Sequence, residues 1–150
     1  MDFDSFEVKR VSENDVNEIL LIIDFVFPYT CFDKKTILKK LQSDNFFLIK
    51  VVKKNLFVGF AEIEFFKKDS LARLNAIFVS DEFRRKGIGK LLLGNCFKEL
   101  EKQKIKKIFL LVKESNIIAK DFYKNNSFCF EKLHDKILDD SIIEVWSKII

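Results

Sequence analysis

The stretch FRRKGIGKLLL, residues 83–93, sets three cations, Arg84, Arg85 and Lys86, directly ahead of a Gly-Ile-Gly that opens an apolar, helix-patterned segment. Glycine costs a helix roughly 1 kcal/mol relative to alanine. Two glycines at a helix start therefore imply a backbone that turns where a Cβ would clash, or one that is approached closely. Unpaired N–H groups at a helix N-terminus, with cations beside them, make a site for an anion, most often a phosphate. The same residues also suit a surface loop with a solvated basic run, and the stretch alone does not separate the two readings.

Other chemistries find less support. The three cysteines, Cys31, Cys96 and Cys129, stand at unrelated spacings without a CxxC, and the single His134 cannot complete a zinc site with them. They read as free thiols in a reducing compartment, and no metal is expected. No GxSxG occurs, which disfavours a serine triad, and no GxxxxGK[ST], which disfavours a nucleotide triphosphatase. His134 falls in an expected loop and reads as a surface residue rather than a base. The net charge of +4, from 27 basic and 23 acidic residues, suits an anionic ligand but is too modest to argue for nucleic acid.

The elements that must position these residues follow from apolar periodicity. At 150 residues, with 48% hydrophobic and 33% charged side chains, the chain fits one globular domain over residues 1–150. The N-terminus MDFDSFEVKR has no signal-peptide hydrophobic run, and no apolar run approaches the ~18 residues of a membrane span, so a cytoplasmic protein with no membrane partner is expected. FEVKRV alternates as a first strand. Ser12 and Asp15 are spaced as a capping box for a helix from about Val16 to Phe27, ended by Pro28. DKKTILKKLQ is a shorter amphipathic helix. NFFLIKVVKKNLFVGFAEIEFF reads as two strands turning at Lys54-Asn55. SLARLNAIFVS is a further strand, and Ile88, Leu91, Leu92, Cys96 and Leu100 then fall at helical spacing. KKIFLLV is a short, nearly all-apolar strand for which burial on both faces is expected. SNIIAKDFYKNN is a helix capped near Ser115 or Asn116, and SFCFEKL and IIEVWSKII are two terminal strands. The order β-α-α-β-β-β-α-β-α-β-β contains one central βαβ unit, whose strands should be parallel neighbours in an otherwise largely antiparallel sheet. The class is α/β, with a mixed sheet of about seven strands and helices on both faces.

At this point the chain resembles the GNAT superfamily of acetyl-CoA-dependent N-acetyltransferases. The family fingerprint, Q/R-x-x-G-x-G/A after strand four, is matched by Arg84-Arg85-Lys86-Gly87-Ile88-Gly89. A second match lies in LLVKESNIIAKDFYKNNSFCF, where Asn116, Ala119, Tyr123 and Ser127-Phe128 stand at the family's spacing. Ser127 departs from the family's usual glycine, so that turn is expected to differ slightly. Arg85 stands where many members carry a glycine, at a position the fingerprint leaves open. The resemblance covers nearly the whole chain in element order.

The resemblance implies acetyl-CoA as cosubstrate and a primary-amine acceptor, either a small-molecule amine such as a polyamine or a protein amine, with direct attack in a ternary complex and no covalent intermediate. Gly87 and Gly89 would let the coenzyme A pyrophosphate meet the N–H groups of the Ile88–Lys90 turn, with Arg84, Arg85 and Lys86 adding positive charge. The pantetheine arm would lie in a splay between strands four and five, beside Ile77, Phe78 and Val79. An N–H near Val79 would polarise the thioester carbonyl. Asn116 would contact the arm, or serve only as a helix cap. Tyr123 matches the family's general acid for the departing thiolate, with interfacial packing as its other reading. For the base, Arg73 or Asn75 stands where several members carry a strand-four glutamate, and Leu111 where others carry one on strand five. Glu62 and Glu64 remain: two apart on one strand face, they suit holding a cationic amine or relaying its proton, or else form a solvated edge. Acceptor pockets in this family use residues near Phe27–Phe32 and His134–Ser141, and such proteins commonly form homodimers. A coenzyme A-binding module without turnover is the alternative reading.

Overall fold

The computed structural model describes residues 5–26 and 33–150. Its elements are β1 (Phe6–Arg10), α1 (Val16–Val26), α2 (Lys34–Gln42), β2 (Phe46–Lys53), β3 (Leu56–Phe66), β4 (Leu71–Val79), α3 (Ile88–Lys102), β5 (Lys107–Lys113), α4 (Ile117–Asn125), β6 (Cys129–Leu133) and β7 (Ile143–Ile149). The order matches the sequence reading. Phe27, Pro28 and Cys31, and with them the expected helix stop and the first part of the acceptor pocket, lie outside the described residues.

Local chemistry explains the boundaries. The Asp15 carboxylate accepts from the Ser12 N–H at 2.8 Å, closing a single 3₁₀ turn that leads into α1. Asp33 caps α2 by accepting from the Thr36 N–H at 2.8 Å. Lys54 and Asn55 both take left-handed backbone, φ 49° and 64°, which makes the two-residue turn joining β2 to β3.

All seven strands form one sheet in the order β1-β2-β3-β4-β5-β7-β6. β4 and β5 are parallel and every other neighbouring pair is antiparallel, as the βαβ unit requires. One face carries α1 and α2, packed through Val16, Ile19, Ile23 and Ile37 onto Leu48, Phe57 and Phe60. The other carries α3 and α4 over the larger core of Ile63, Leu74, Leu92, Leu93, Ile108, Leu110 and Phe128. Full burial of a side chain such as Phe128 contributes about 1.5–3 kcal/mol.

Burial of β5 on both faces is not what the structure shows. Ile108, Leu110 and Val112 are buried, whereas Phe109 and Leu111 on the opposite face are half-buried. The cores gathered by α1 and α2 lie on β2, β3 and β4, so the α1/α2 side of β5 is covered only in part.

Candidate functional site

Two departures from regular pairing shape the centre of the sheet. The ladder between β4 and β5 runs only from Leu71↔Lys107 to Arg73↔Phe109, while β5 continues to pair with β7 as far as Lys113↔Ile143. Beyond Arg73 the two parallel strands diverge into a V. At its apex β4 carries a bulge: Glu62 pairs with Ala76 and Ile63 with Leu74, leaving Asn75 as the extra residue. One inserted residue reverses the alternation of the strand. Ala72 and Leu74 face the α3/α4 core, and after the bulge so do Ile77 and Val79, while Ala76 and Phe78 turn to the α1/α2 face.

The backbone follows the same phase. The Ser80 N–H donates to the Val58 carbonyl of β3 at 2.8 Å. Alternation along a strand then directs the N–H and carbonyl groups of Ile77 and Val79 away from β3, into the V. The Phe78 side chain packs on Phe60 with ring centroids 6.1 Å apart. Gly59 makes the close approach of β3 possible, since a Cβ there would lie 2.3 Å from the Phe78 carbonyl oxygen.

The basic loop sits at the open end of the V. Arg84 folds back, its Nε donating to the Val79 carbonyl at 3.0 Å and its guanidinium pairing with Asp81 at 3.0 Å. It thus ties the loop to the end of β4, while Arg85 and Lys86 are exposed and Lys86 Nζ lies 5.6 Å from the centroid of the Phe83 ring. Arg85 and Gly87 both take left-handed backbone, φ 60° and 81°. The Leu91 N–H donates to the Gly87 carbonyl at 3.0 Å, so the N–H groups of Ile88, Gly89 and Lys90 precede the helical ladder. Ile88 anchors the turn in the core and Lys90 is exposed. Gly89 has a packing reason of its own: a Cβ there would meet the Phe122 ring at 2.9 Å, so the residue lets α4 lie close against the first turn of α3.

That contact positions Tyr123, whose half-buried ring packs edge-on against Phe128 at 5.7 Å and beside Phe122 at 5.5 Å. Asn116 caps α4 by accepting from the Ala119 N–H at 3.1 Å. Lys120 reaches Glu144 of β7 at 3.3 Å, and Glu144 also accepts from Trp146 Nε1 at 2.8 Å. Ser127 holds φ 69°, a left-handed backbone that a glycine would adopt without strain. The Phe128 N–H then donates to the Tyr123 carbonyl at 3.0 Å.

On the α1/α2 side of the apex lies a polar network. Glu62, 4% exposed, accepts from Lys40 Nζ at 2.9 and 3.2 Å and from Asn75 Nδ2 at 2.6 Å. Glu64 accepts from Arg73 Nη2 at 2.9 Å and from Asn75 Nδ2 at 3.2 Å. Arg73 Nε donates to Asn75 Oδ1. Glu62 is therefore no solvated edge, and both carboxylates already hold a cation. The sequence marks Glu62 and Glu64 as one pair and Arg73 or Asn75 as standing at a separate strand-four position, and gives neither their joining in one network nor Lys40. The available signal was a lysine three residues after Ile37, on the apolar face of α2.

The remaining groups stand apart. Cys96 is buried and its thiol is pushed up to about 12 by burial, which keeps it from acting as a thiolate nucleophile. Cavities of about 290 and 200 Å³ lie near the β1 edge, lined among others by Arg10 and Phe47, and neither includes a residue named for the site. The segment from His134 to Ser141 joins β6 to β7 and is tied down by the pair Lys113–Asp139 at 2.8 Å. Among the described residues no cluster could hold a metal ion, and no helix is long and apolar enough to cross a membrane.

Comparison with known proteins agrees with the fold. The model of the Acetyltransferase (GNAT) family matches residues 16–128. No curated protein matches the chain in sequence. Among solved structures, Ard1 from Thermoplasma volcanium is 20% identical with a TM-score of 0.85, covering 97% of this chain and 98% of its own. PaiA N-acetyltransferase from Thermoplasma acidophilum, in complex with coenzyme A, is 20% identical at a TM-score of 0.80, with 97% and 99% covered. Arabidopsis thaliana Naa50, in complex with the bisubstrate analogue CoA-Ac-MVNAL, is 21% identical at a TM-score of 0.81, with 96% and 98% covered.

Proposed function

The chain belongs to the acetyltransferase (GNAT) family, and from that premise we propose that it transfers an acetyl group from acetyl-CoA to a primary amine by direct attack in a ternary complex. The single observation that carries this reading is the V between β4 and β5, whose parallel pairing stops at Arg73↔Phe109 beside a helix N-terminus that follows Gly87. The pyrophosphate binds the N–H groups of Ile88, Gly89 and Lys90, with Arg85 and Lys86 attracting it and Arg84 holding the loop to β4. The pantetheine arm enters the V and pairs with the inward backbone of Ile77 and Val79, with Phe78 as the intervening residue and Asn116 at the mouth. A thioester carbonyl in the V meets N–H donors fixed by the strand, which stabilise the oxyanion without reorganisation.

In the reaction the neutral amine nitrogen bonds to the carbonyl carbon as the C–S bond breaks. Tyr123 gives its phenolic proton to the departing sulfur as a general acid. The proton lost by the amine leaves through water towards Glu64, whose side chain is 22% exposed, while Glu62 holds the apex through Lys40 and Asn75. Relatives crystallised with coenzyme A and with a coenzyme A–peptide conjugate support the pairing of acetyl-CoA with an amine.

Gly87→Asp tests the phosphate cradle, since it puts a carboxylate and a Cβ at a left-handed position facing the anion. Calorimetry should show acetyl-CoA affinity reduced at least ~tenfold, or about 1.4 kcal/mol, in a protein that remains folded. Unchanged affinity in a folded variant removes the cradle. Acetyl-CoA binding without turnover of any amine favours the binding-module reading.

A further inference from the structure

We propose that the acceptor is a primary amine carrying a carboxylate near the reacting nitrogen, and that Arg73 is the residue that reads it. The proposal rests on the acetyl-transfer reading above and narrows its acceptor. The phosphate loop, α3 and α4 occupy one face of the sheet, so coenzyme A fills the V from that side and its open end. The acceptor reaches the apex from the α1/α2 face, where the flank of β5 is only half covered.

The charges on that face decide what it accepts. β5 presents Lys107, Phe109, Leu111 and Lys113 there, with Lys107 paired to Glu131 and Lys113 to Asp139, and β7 presents Ile143, Val145, Ser147 and Ile149. The carboxylates beside the apex are Glu62 and Glu64, each neutralised by a cation at 2.9 Å and each also bonded to Asn75. Among the described residues, each carboxylate of this network is already bonded to a cation, which leaves neither of the two unpaired for a polyamine. A second ammonium would instead face Lys40 and Arg73.

Arg73 has capacity remaining. Its Nε serves Asn75 and its Nη2 serves Glu64, while Nη1 bonds to no described residue and 37% of the side chain is open. A guanidinium held along one edge offers the other as a planar fork, which matches a carboxylate in two parallel hydrogen bonds. Asn75 and Glu64 fix the plane of that fork, so the cation is oriented before the acceptor arrives. The shared chemistry is an α-amine with a carboxylate within reach: a free amino acid, or a peptide beginning with an acidic residue.

The test compares acceptors at saturating acetyl-CoA. Tetrapeptide amides beginning with Asp, Asn or Lys, together with alanine, alaninamide and spermidine, form the panel. Wild type should favour the Asp peptide over its Asn isostere, or alanine over alaninamide, by about tenfold in kcat/KM, chiefly through acceptor KM. The Asp/Asn contrast reports a peptide source, and the alanine/alaninamide contrast a free amino acid. Arg73→Gln should bring the favoured contrast to near unity with acetyl-CoA affinity unchanged, and Arg73→Lys, which keeps the charge in the same network, should restore part of it. Preference for spermidine or the Lys peptide overturns the proposal while leaving acetyl transfer intact. So does a contrast that survives Arg73→Gln. Failure to acetylate any amine by a protein that binds acetyl-CoA overturns both this proposal and the catalytic reading beneath it.

Discussion

The two sides of the β4–β5 opening are built from different materials. On the α3/α4 side the groups offered to a ligand are mostly backbone: the N–H groups of Ile88, Gly89 and Lys90, and the inward edge of Ile77 and Val79. They come from one continuous stretch of chain, and their directions are set by strand and helix geometry. On the α1/α2 side the groups are side chains, Lys40, Glu62, Glu64, Arg73 and Asn75, drawn from α2, β3 and β4. The first side can change many surface residues and keep its donors. The second depends on every partner, because a buried charge that loses its counter-charge keeps its desolvation cost. Under the proposed function, the cosubstrate is then held by backbone while the acceptor side is set by a few side chains.

Tyr123→Phe gives the largest expected effect and tests whether the α3/α4 side supplies chemistry as well as binding. The ring packing on Phe128 and Phe122 survives, acetyl-CoA affinity stays, and kcat falls by ~10²–10⁴-fold, as expected for loss of a general acid. Single-turnover kinetics check this. A rate within about twofold of wild type reduces Tyr123 to a packing residue.

Lys40→Met should expose the dependence of the other side on its partners. It leaves Glu62 buried without its cation, and chemical denaturation should show a loss of about 3–5 kcal/mol. The double variant Lys40→Met, Glu62→Leu removes both charges and should recover most of that loss. Acetyl-CoA affinity should change little in the double variant, since the backbone cradle lies on the opposite face. A parallel loss of cosubstrate binding there would show that the two sides are coupled.

The smallest effect distinguishes the glycines of one helix. Gly87 needs its left-handed φ and Gly89 its missing Cβ against Phe122, but a Cβ at Gly94 would meet nothing within 4 Å. Gly94→Ala should therefore stabilise the protein by roughly 0.5–1 kcal/mol, visible as a higher Tm, without altering acetyl-CoA affinity. A loss of stability or affinity would assign Gly94 a contact that the folded monomer does not contain.

Much of the architecture was legible in the sequence because it is encoded locally. Apolar periods of two and near four mark each strand and helix, and Lys54-Asn55 marks a hairpin. A strand, a helix and an apolar strand around residues 71–113 require a parallel pair by the handedness of crossovers. The left-handed turn at Gly87 and the open helix start after it were legible for the same reason, since glycine acts on the backbone within one turn of its own position. Burial was less so: the apolar run KKIFLLV reads as covered on both faces, but coverage depends on where α1 and α2 lie, which no property of that run specifies.

The sequence by itself thus determined the elements, their order, the class of fold and the glycine-bounded start of α3, all consequences of interactions a few residues apart. Only the tertiary structure decided the rest. The bulge at Asn75, which reverses the facing of β4, is visible only once β4 is in register with β3. The pairing of Glu62 with Lys40 joins residues 22 positions apart. Glu64 finds Arg73 across a strand pair, and Gly89 meets Phe122 across two helices. No local period encodes such contacts, because they exist only after the chain has folded and water has been removed from between their partners. Until then a glutamate two residues from another reads as an acid free to receive an amine, whereas in the folded protein each of the two is already neutralised by a cation of its own.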